Sequence, residues 1–140
     1  MKVAIGCDHA GIRFKERVMN WLWEKGYGSQ DLGTSSEDSV DYPDFAHAVA
    51  DSIEQNNAQM GVLICGTGIG MSMAANKHKS IRAALCKDGL ACEMARKHND
   101  ANVLCIGARN TNPAILLDML DAFFHTEFEG GRHQRRIEKI

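Results

Sequence analysis

The chain has 140 residues, of which 44% are hydrophobic and 24% are charged, and its formal net charge is −2. These values are ordinary for a globular domain and argue against binding of nucleic acid or anionic membranes over the whole surface. We expect one domain over residues 1–140 with a basic C-terminal segment from about residue 129, so any anion site must be a local cluster.

The cysteines are expected to be reduced thiols. There are five of them, an odd number, and no CxxC motif occurs. This pattern argues against a disulfide framework or a zinc site. The apolar run at the N-terminus is too short for a signal peptide, and no run approaches the roughly 18 apolar residues of a membrane span. We therefore expect a cytoplasmic protein that contacts no membrane.

Short apolar runs alternate with amphipathic stretches along the chain. Strands are predicted at residues 3–7, 29–32, 62–65, 81–86 and 103–106. Helices are predicted at 11–25, around 45–53, and at 69–76, 90–98 and 113–122, with a short final helix in the tail. Five strands that alternate with helices indicate an α/β fold with a parallel sheet covered on both faces.

Ligands of such sheets bind beyond the carboxyl ends of the strands, where the strand order reverses. Chemistry is therefore expected directly after four of the strands, at residues 7–9, 65–70, 87–88 and 107–110.

The segment CGTGIG follows the third predicted strand. Its three glycines, Gly66, Gly68 and Gly70, allow backbone N–H groups to converge on one anion. The segment lacks the lysine of a P-loop and differs from the dinucleotide motif GxGxxG. A dinucleotide site that uses Asp88 stays open as an alternative, as does a tight turn with no ligand.

Cys65 stands at the start of this segment. Neighbouring amides and the dipole of the next helix would stabilise its thiolate, which favours a reactive thiol over a merely buried strand residue. Cys86 and Cys105 are interpreted as buried strand residues. A thiolate beside amide donors suits acyl transfer or removal of a proton next to a carbonyl.

Other candidate residues lie outside the glycine-rich segment. His98 ends a predicted helix, where the dipole favours imidazolium, so it is either a general acid or a simple helix cap. His9 follows Asp8 at the predicted rim of the sheet. The other histidines considered have no predicted partner and are interpreted as surface or structural residues: His47, His78 and His125.

Arg132 and Arg136 lie four residues apart in the basic tail and share a face if the tail is helical. Two parallel arginines suit a phosphate dianion, although a solvated chain end is the ordinary explanation. If the arginines hold phosphate, the glycine-rich segment is free to hold another anion.

Six motifs occur in order along the chain: GCDHAG, DYPDFA, ICGTGIGMSMAANK, RKHNDANVL, GARN and EGGRHQRR. Together they resemble the type B ribose-5-phosphate isomerases, which are grouped with galactose-6-phosphate and allose-6-phosphate isomerases. The resemblance runs from Val3 to Arg136. It implies a Rossmann-like three-layer sandwich with a five-stranded parallel sheet.

The resemblance also implies roles by position. Cys65 matches the base that removes a proton, whereas another branch of the family has a glutamate at the position of Ile69. Thr67 matches a hydroxyl near the reacting carbons, and His98 matches the acid that opens the sugar ring, with Asp8 as the group that takes the hydroxyl proton. The loop of residues 66–70 stabilises the intermediate. The other expected substrate contacts are Asp8, His9, Tyr42, Ile69 and Asn99, with Arg109, Arg132 and Arg136 near the phosphate.

The expected reaction interconverts ribose 5-phosphate and ribulose 5-phosphate through a cis-enediolate, a step of the pentose phosphate pathway. The proton moves within the substrate, so no metal or cofactor is expected. The resemblance implies a homodimer or a dimer of dimers with active sites shared between subunits, and no nucleic-acid partner. Two alternatives stay open: the same chemistry on allose or galactose 6-phosphate, and a non-catalytic module that binds nucleotides or sugar phosphates.

Overall fold

The computed structural model describes residues 1–140 and contains five strands and six α-helices. The strands are β1 (Lys2–Cys7), β2 (Gly28–Asp31), β3 (Met60–Cys65), β4 (Ala83–Leu85) and β5 (Val103–Gly107). The helices are α1 (Ile12–Glu24), α2 (Tyr42–Glu54), α3 (Ile69–Ala75), α4 (Gly89–Asn99), α5 (Leu116–His125) and α6 (Arg132–Ile137). None of the helices combines the length and the hydrophobicity that crossing a bilayer requires.

All five strands are parallel and lie in the order β2-β1-β3-β5-β4. The chain leaves β1 toward one edge to form β2 and then returns to build β3 on the other side of β1. The switch point of the sheet is therefore between β1 and β3, where Cys7 pairs with Ile64. Cys65, at the end of β3, pairs with Gly107 of β5. The carboxyl ends of β1, β3 and β5 thus lie side by side.

The sheet separates two hydrophobic cores. Successive residues of β1 alternate between them, so that Val3 and Ile5 pack with α1, α4 and α5, whereas Ala4 packs with α2 and α3. All three side chains are fully buried. Burial on both faces explains why the central strands are continuous apolar runs. The predicted three-layer α/β sandwich is confirmed.

Each helix that follows a strand runs back across the sheet. α4 has 11 residues and therefore carries the chain about 15 Å from the carboxyl edge toward the amino edge. Residues at the end of this helix lie far from the residues that follow β3. This direction decides which of the predicted site residues meet within one chain.

Most predicted elements differ from the observed ones by one to three residues at an end, and for two of them the contacts explain the difference. The fourth strand was expected at 81–86 but covers only Ala83–Leu85, because the Ile81 amide bonds a turn at His78 and the Arg82 amide bonds the side chain of Asn102. The helix expected from Pro113 begins as a 3₁₀ turn, Pro113–Ile115, because the Asn112 side chain caps the Ala114 amide.

Candidate active site

Cys65 occupies the carboxyl end of β3 with 5% of its surface exposed. The backbone amide of Gly68 donates a hydrogen bond to the Cys65 sulfur over 3.1 Å. This contact requires the left-handed conformation of Gly68, whose φ is 76°. The loop therefore curls back over the Cys65 sulfur, which accepts this hydrogen bond at the end of the strand.

Three amides beside this thiol make no hydrogen bond within the chain. They belong to Gly66, Thr67 and Gly70, whereas the Ile69 amide bonds the Thr67 hydroxyl over 3.3 Å. Backbone amides that converge at a loop form a binding site for a negatively charged oxygen. The Gly68 amide is not available for that purpose because the sulfur accepts its hydrogen bond.

The other two glycines of the loop pack closely against side chains. A Cβ atom at Gly70 would collide with the ring of Tyr42, which begins α2. A Cβ atom at Gly66 would lie 3.0 Å from the guanidinium of Arg109, whose own amide donates to the Gly66 carbonyl over 2.9 Å. The loop is therefore held between an aromatic ring and an arginine.

Asp8 and His9 lie at the neighbouring carboxyl end of β1. Asp8 is 7% exposed, and its carboxylate accepts a hydrogen bond from the Ala10 amide over 2.9 Å. His9 accepts a hydrogen bond at Nδ1 from the Val40 amide over 3.2 Å, which leaves Nε2 as its free nitrogen. His9 also lines a cavity of about 270 Å³.

The long loop that precedes α2 is tied to the same end of β1 by a buried cation. Lys15 is 4% exposed, donates to the Thr34 carbonyl over 2.8 Å and pairs with Asp31 over 3.1 Å. The thiol of Cys7 bonds the same carbonyl. Burial raises the pKa of Cys7 to about 11, although the nearby Lys15 ammonium opposes this shift. Cys7 is therefore a neutral thiol at physiological pH.

The remaining predicted residues form a second group at the amino edge of the sheet. His98 and Asn99 end α4, and the ring of His98 stacks on His133 of α6 at 4.4 Å with an angle of 17°. Arg132 and Arg136 lie on this short helix and are exposed. Asn99 lines a cavity of about 730 Å³.

His133 was missed by the sequence analysis. It is 8% exposed. Burial lowers its pKa, and the positive charges of His98 and Arg132 lower it further, which favours the neutral ring. Its place in the motif EGGRHQRR between two arginines was the only signal for it.

The structure thus divides the predicted site residues in two. Asp8, His9, Tyr42, residues 65–70 and Arg109 lie together at the carboxyl edge. His98, Asn99, Arg132 and Arg136 lie together at the amino edge. One chain alone does not bring the two groups into contact.

Two further expectations need correction. The Asp88 carboxylate caps α4 by accepting from the Ala91 amide over 2.8 Å, which argues against its use for a dinucleotide ribose. His47 and His78, for which the sequence indicated no partner, contact each other: Nδ1 of His47 lies 2.8 Å from Nε2 of His78.

The fold and the site together define an α/β protein in which a thiol and free amide donors meet at the switch point of a parallel sheet. The sequence model described as Ribose/Galactose Isomerase matches residues 3–140. The chain therefore belongs to the Ribose/Galactose Isomerase family, as its motifs indicated.

Similar proteins cover nearly the whole chain. Ribose-5-phosphate isomerase B of Escherichia coli is 42% identical over 139 residues, which span 99% of this chain and 93% of that protein. The structure of Clostridium thermocellum ribose-5-phosphate isomerase B superposes with a TM-score of 0.97 at 44% identity, covering 99% of this chain and 94% of the other. The structure of the Thermotoga maritima ribose 5-phosphate isomerase superposes with a TM-score of 0.95 at 49% identity, covering 99% of this chain and 95% of the other.

The shape of the loop can be tested with two alanine substitutions. Gly68 (φ 76°) and Gly26 (φ 79°) have the same backbone conformation, but only a Cβ at Gly68 meets other atoms, at 2.6 Å from Leu85 and 2.9 Å from the Ile106 carbonyl carbon. We expect Gly26→Ala to lower the free energy of unfolding by about 1 kcal/mol, the cost of the left-handed conformation. Gly68→Ala should lower it further. Urea denaturation measures both, and equal losses would contradict the described packing.

Proposed function

We propose that this chain is an aldose-ketose isomerase that interconverts ribose 5-phosphate and ribulose 5-phosphate through a cis-enediolate. The observation that carries the proposal is the Cys65 thiol beside free amides at the switch point of the sheet. Its support is an end-to-end likeness to proteins named ribose-5-phosphate isomerase B.

The chemical step is a proton transfer between two carbons of the substrate. The Cys65 thiolate removes the proton from C2 of the open-chain aldose, which gives the enediolate. The hydroxyl proton of O2 then passes to O1, and Cys65 returns its proton to C1, so that a ketose forms with no change in the overall composition of the sugar. The Gly68 amide holds the sulfur at the loop through its hydrogen bond. The Thr67 hydroxyl accepts a hydrogen bond from the Ile69 amide of the same loop, and our proposal assigns it a place near the reacting carbons.

Negative charge develops on the substrate oxygen as the proton leaves. The free amides of Gly66, Thr67 and Gly70 are the donors for this charge, and one such donor is typically worth about 3 kcal/mol. The resemblance implies this role for the whole loop of residues 66–70, and our proposal assigns it to these three amides. The Gly68 amide instead serves the base.

The ring of the sugar opens before this step. His98 protonates the ring oxygen, and Asp8 takes the hydroxyl proton. Arg132 and Arg136 hold the phosphate, whose remote binding energy positions the reacting carbons. Arg109 lies against the loop itself, so it approaches the substrate from the side of Cys65.

We further propose that each active site combines two subunits. His98 and Arg136 lie at the edge of the sheet opposite Cys65, about the length of α4 away, so they serve the Cys65 of a second copy. Apolar side chains around the loop are exposed in the isolated chain, as an interface would require: Tyr42, Ile69, Met73, Leu85 and Leu90. A homodimer, alone or within a dimer of dimers, satisfies both observations.

The proposed setting is the cytoplasm, with residues 1–140 acting as one sugar-phosphate isomerase domain. All five cysteines are free, and all are buried. A protein that keeps every thiol reduced suits a reducing compartment.

The principal alternative substrate is a six-carbon sugar phosphate, because the family model is described by both ribose and galactose. A coupled assay with ribose 5-phosphate, allose 6-phosphate and galactose 6-phosphate decides between them. We expect the highest kcat/KM with ribose 5-phosphate. A higher value with either hexose phosphate would replace the proposed substrate, and no turnover of any, with thermal stabilisation by nucleotides alone, would indicate a binding module.

The role of Cys65 is tested by Cys65→Ala. We expect this variant to lose isomerisation while it still binds ribose 5-phosphate in calorimetry, because alanine removes the base but leaves the phosphate contacts. Cys92→Ala is the matched control, since Cys92 is a fully buried thiol within α4. A Cys65→Ala enzyme with near-normal kcat would refute the mechanism.

The two-chain site is tested by mixing two inactive variants, Cys65→Ala and His98→Asn. In a two-fold dimer, half the dimers of an equal mixture are hybrids, and each hybrid has one intact site, so about a quarter of the normal activity should return. The variants are unfolded and refolded together, and each alone is the control. No recovery in dimers shown to be hybrid would indicate that His98 and Cys65 of the same chain form one site, which would overturn the two-chain proposal.

A further inference from the structure

A cluster of two imidazoles and two carboxylates lies on the outer side of α2, away from the Cys65 loop. His47, Asp51 and Glu54 occupy one face of the helix at positions i, i+4 and i+7. His78, from the turn between α3 and β4, faces them. Its Nδ1 atom lies 3.3 Å from Glu54 Oε2 and 3.7 Å from Asp51 Oδ1.

These separations match those between the ligands of a small divalent ion. In a tetrahedral zinc site with bonds of about 2.0–2.1 Å, neighbouring ligand atoms are about 3.3 Å apart. The ligand atoms of Asp51, Glu54 and His78 all lie within 4.8 Å of one another. Two carboxylate charges would also balance a doubly charged cation.

The orientation of the cluster is fixed by a second layer of contacts. The Ser80 hydroxyl donates to Glu54 Oε1 over 3.0 Å, which leaves Oε2 directed at His78. On the far side of the His78 ring, Nε2 lies 2.8 Å from Nδ1 of His47. Metal-binding histidines are usually held in this way through the nitrogen that does not bind the metal.

We propose that Asp51, Glu54 and His78 form a site for a divalent ion of the Zn²⁺ type, with His47 and Ser80 as positioning residues. In the absence of an ion, the Nδ1 proton of His78 bonds Glu54. Binding of the ion displaces this proton to solvent, and a water molecule completes the tetrahedron. The site links the end of α2 to the turn before β4. It is independent of the proposed isomerase chemistry, which needs no metal.

A second group of three potential ligands, His98, Glu129 and His133, provides an internal comparison. Its two rings are stacked nearly parallel, and it belongs to the candidate active site. Ligation through His78 and ligation through His133 can therefore be told apart by substitution.

The test is Zn²⁺ binding to the purified full chain by equilibrium dialysis, with thermal unfolding as the second measurement. We expect one equivalent per chain and a higher Tm in its presence. His78→Gln should lose the bound ion, and Asp51→Asn should weaken binding at least tenfold. Ser80→Ala, which removes only the contact that orients Glu54, should weaken it about tenfold.

Three matched variants should retain the ion: His133→Gln, Cys65→Ala and His125→Gln, a histidine outside both groups. Loss of zinc in His133→Gln or Cys65→Ala, with retention in His78→Gln, would move the site and overturn the proposal. Two other results would also overturn it. One is no bound zinc at micromolar zinc concentrations, and the other is an equal zinc affinity in all variants, which would indicate an adventitious ion only. If His78→Gln fails to fold, the comparison of Asp51→Asn with His125→Gln decides.

Discussion

The hydrogen bond from the Gly68 amide to the Cys65 sulfur organises the candidate site. It exists because a glycine with φ of 76° turns the chain back toward the strand that it has just left. The same turn leaves the amides of Gly66, Thr67 and Gly70 without partners. One contact therefore separates the loop into a donor that the Cys65 sulfur occupies and donors that have no partner within the chain. Tyr42 and Arg109 then hold the loop in this shape from two sides.

The direction of the helices imposes the second constraint. Strands of a parallel sheet place their carboxyl ends at one edge, and each returning helix ends at the other. Cys65 ends a strand, whereas His98 ends a helix, so the fold keeps the proposed base and the proposed acid apart within one chain. The two-chain site proposed above is consistent with this topology and requires no distortion of either chain. The ring of His98 at the end of α4 is held by stacking on His133 of the short helix α6.

Much of the fold could be predicted because its signals are local. Apolar runs, Gly68 and the turn residues identified all five strands and the loop after β3. The residue at which β4 starts could not be predicted, since Arg82 and Asn102 meet only after the chain has folded. The contact between His47 and His78 spans 31 residues and leaves no trace in periodicity. The hydrogen bond from the Gly68 amide to the Cys65 sulfur depends on the positive φ of Gly68. A glycine in the sequence permits this φ but does not impose it.

The separation of His98 from Cys65 affects how the protein becomes catalytically active. Both hydrophobic cores are built from side chains of one chain, so neither core needs a residue of a partner to fill it. On the proposed two-chain site, a single folded copy is nevertheless inactive until it meets another. Folding and the formation of an active site are then separate events, and only the formation of the active site depends on the concentration of the chain. At chain concentrations well below the dissociation constant of the pair, the rate would rise with the square of concentration, although every molecule is folded.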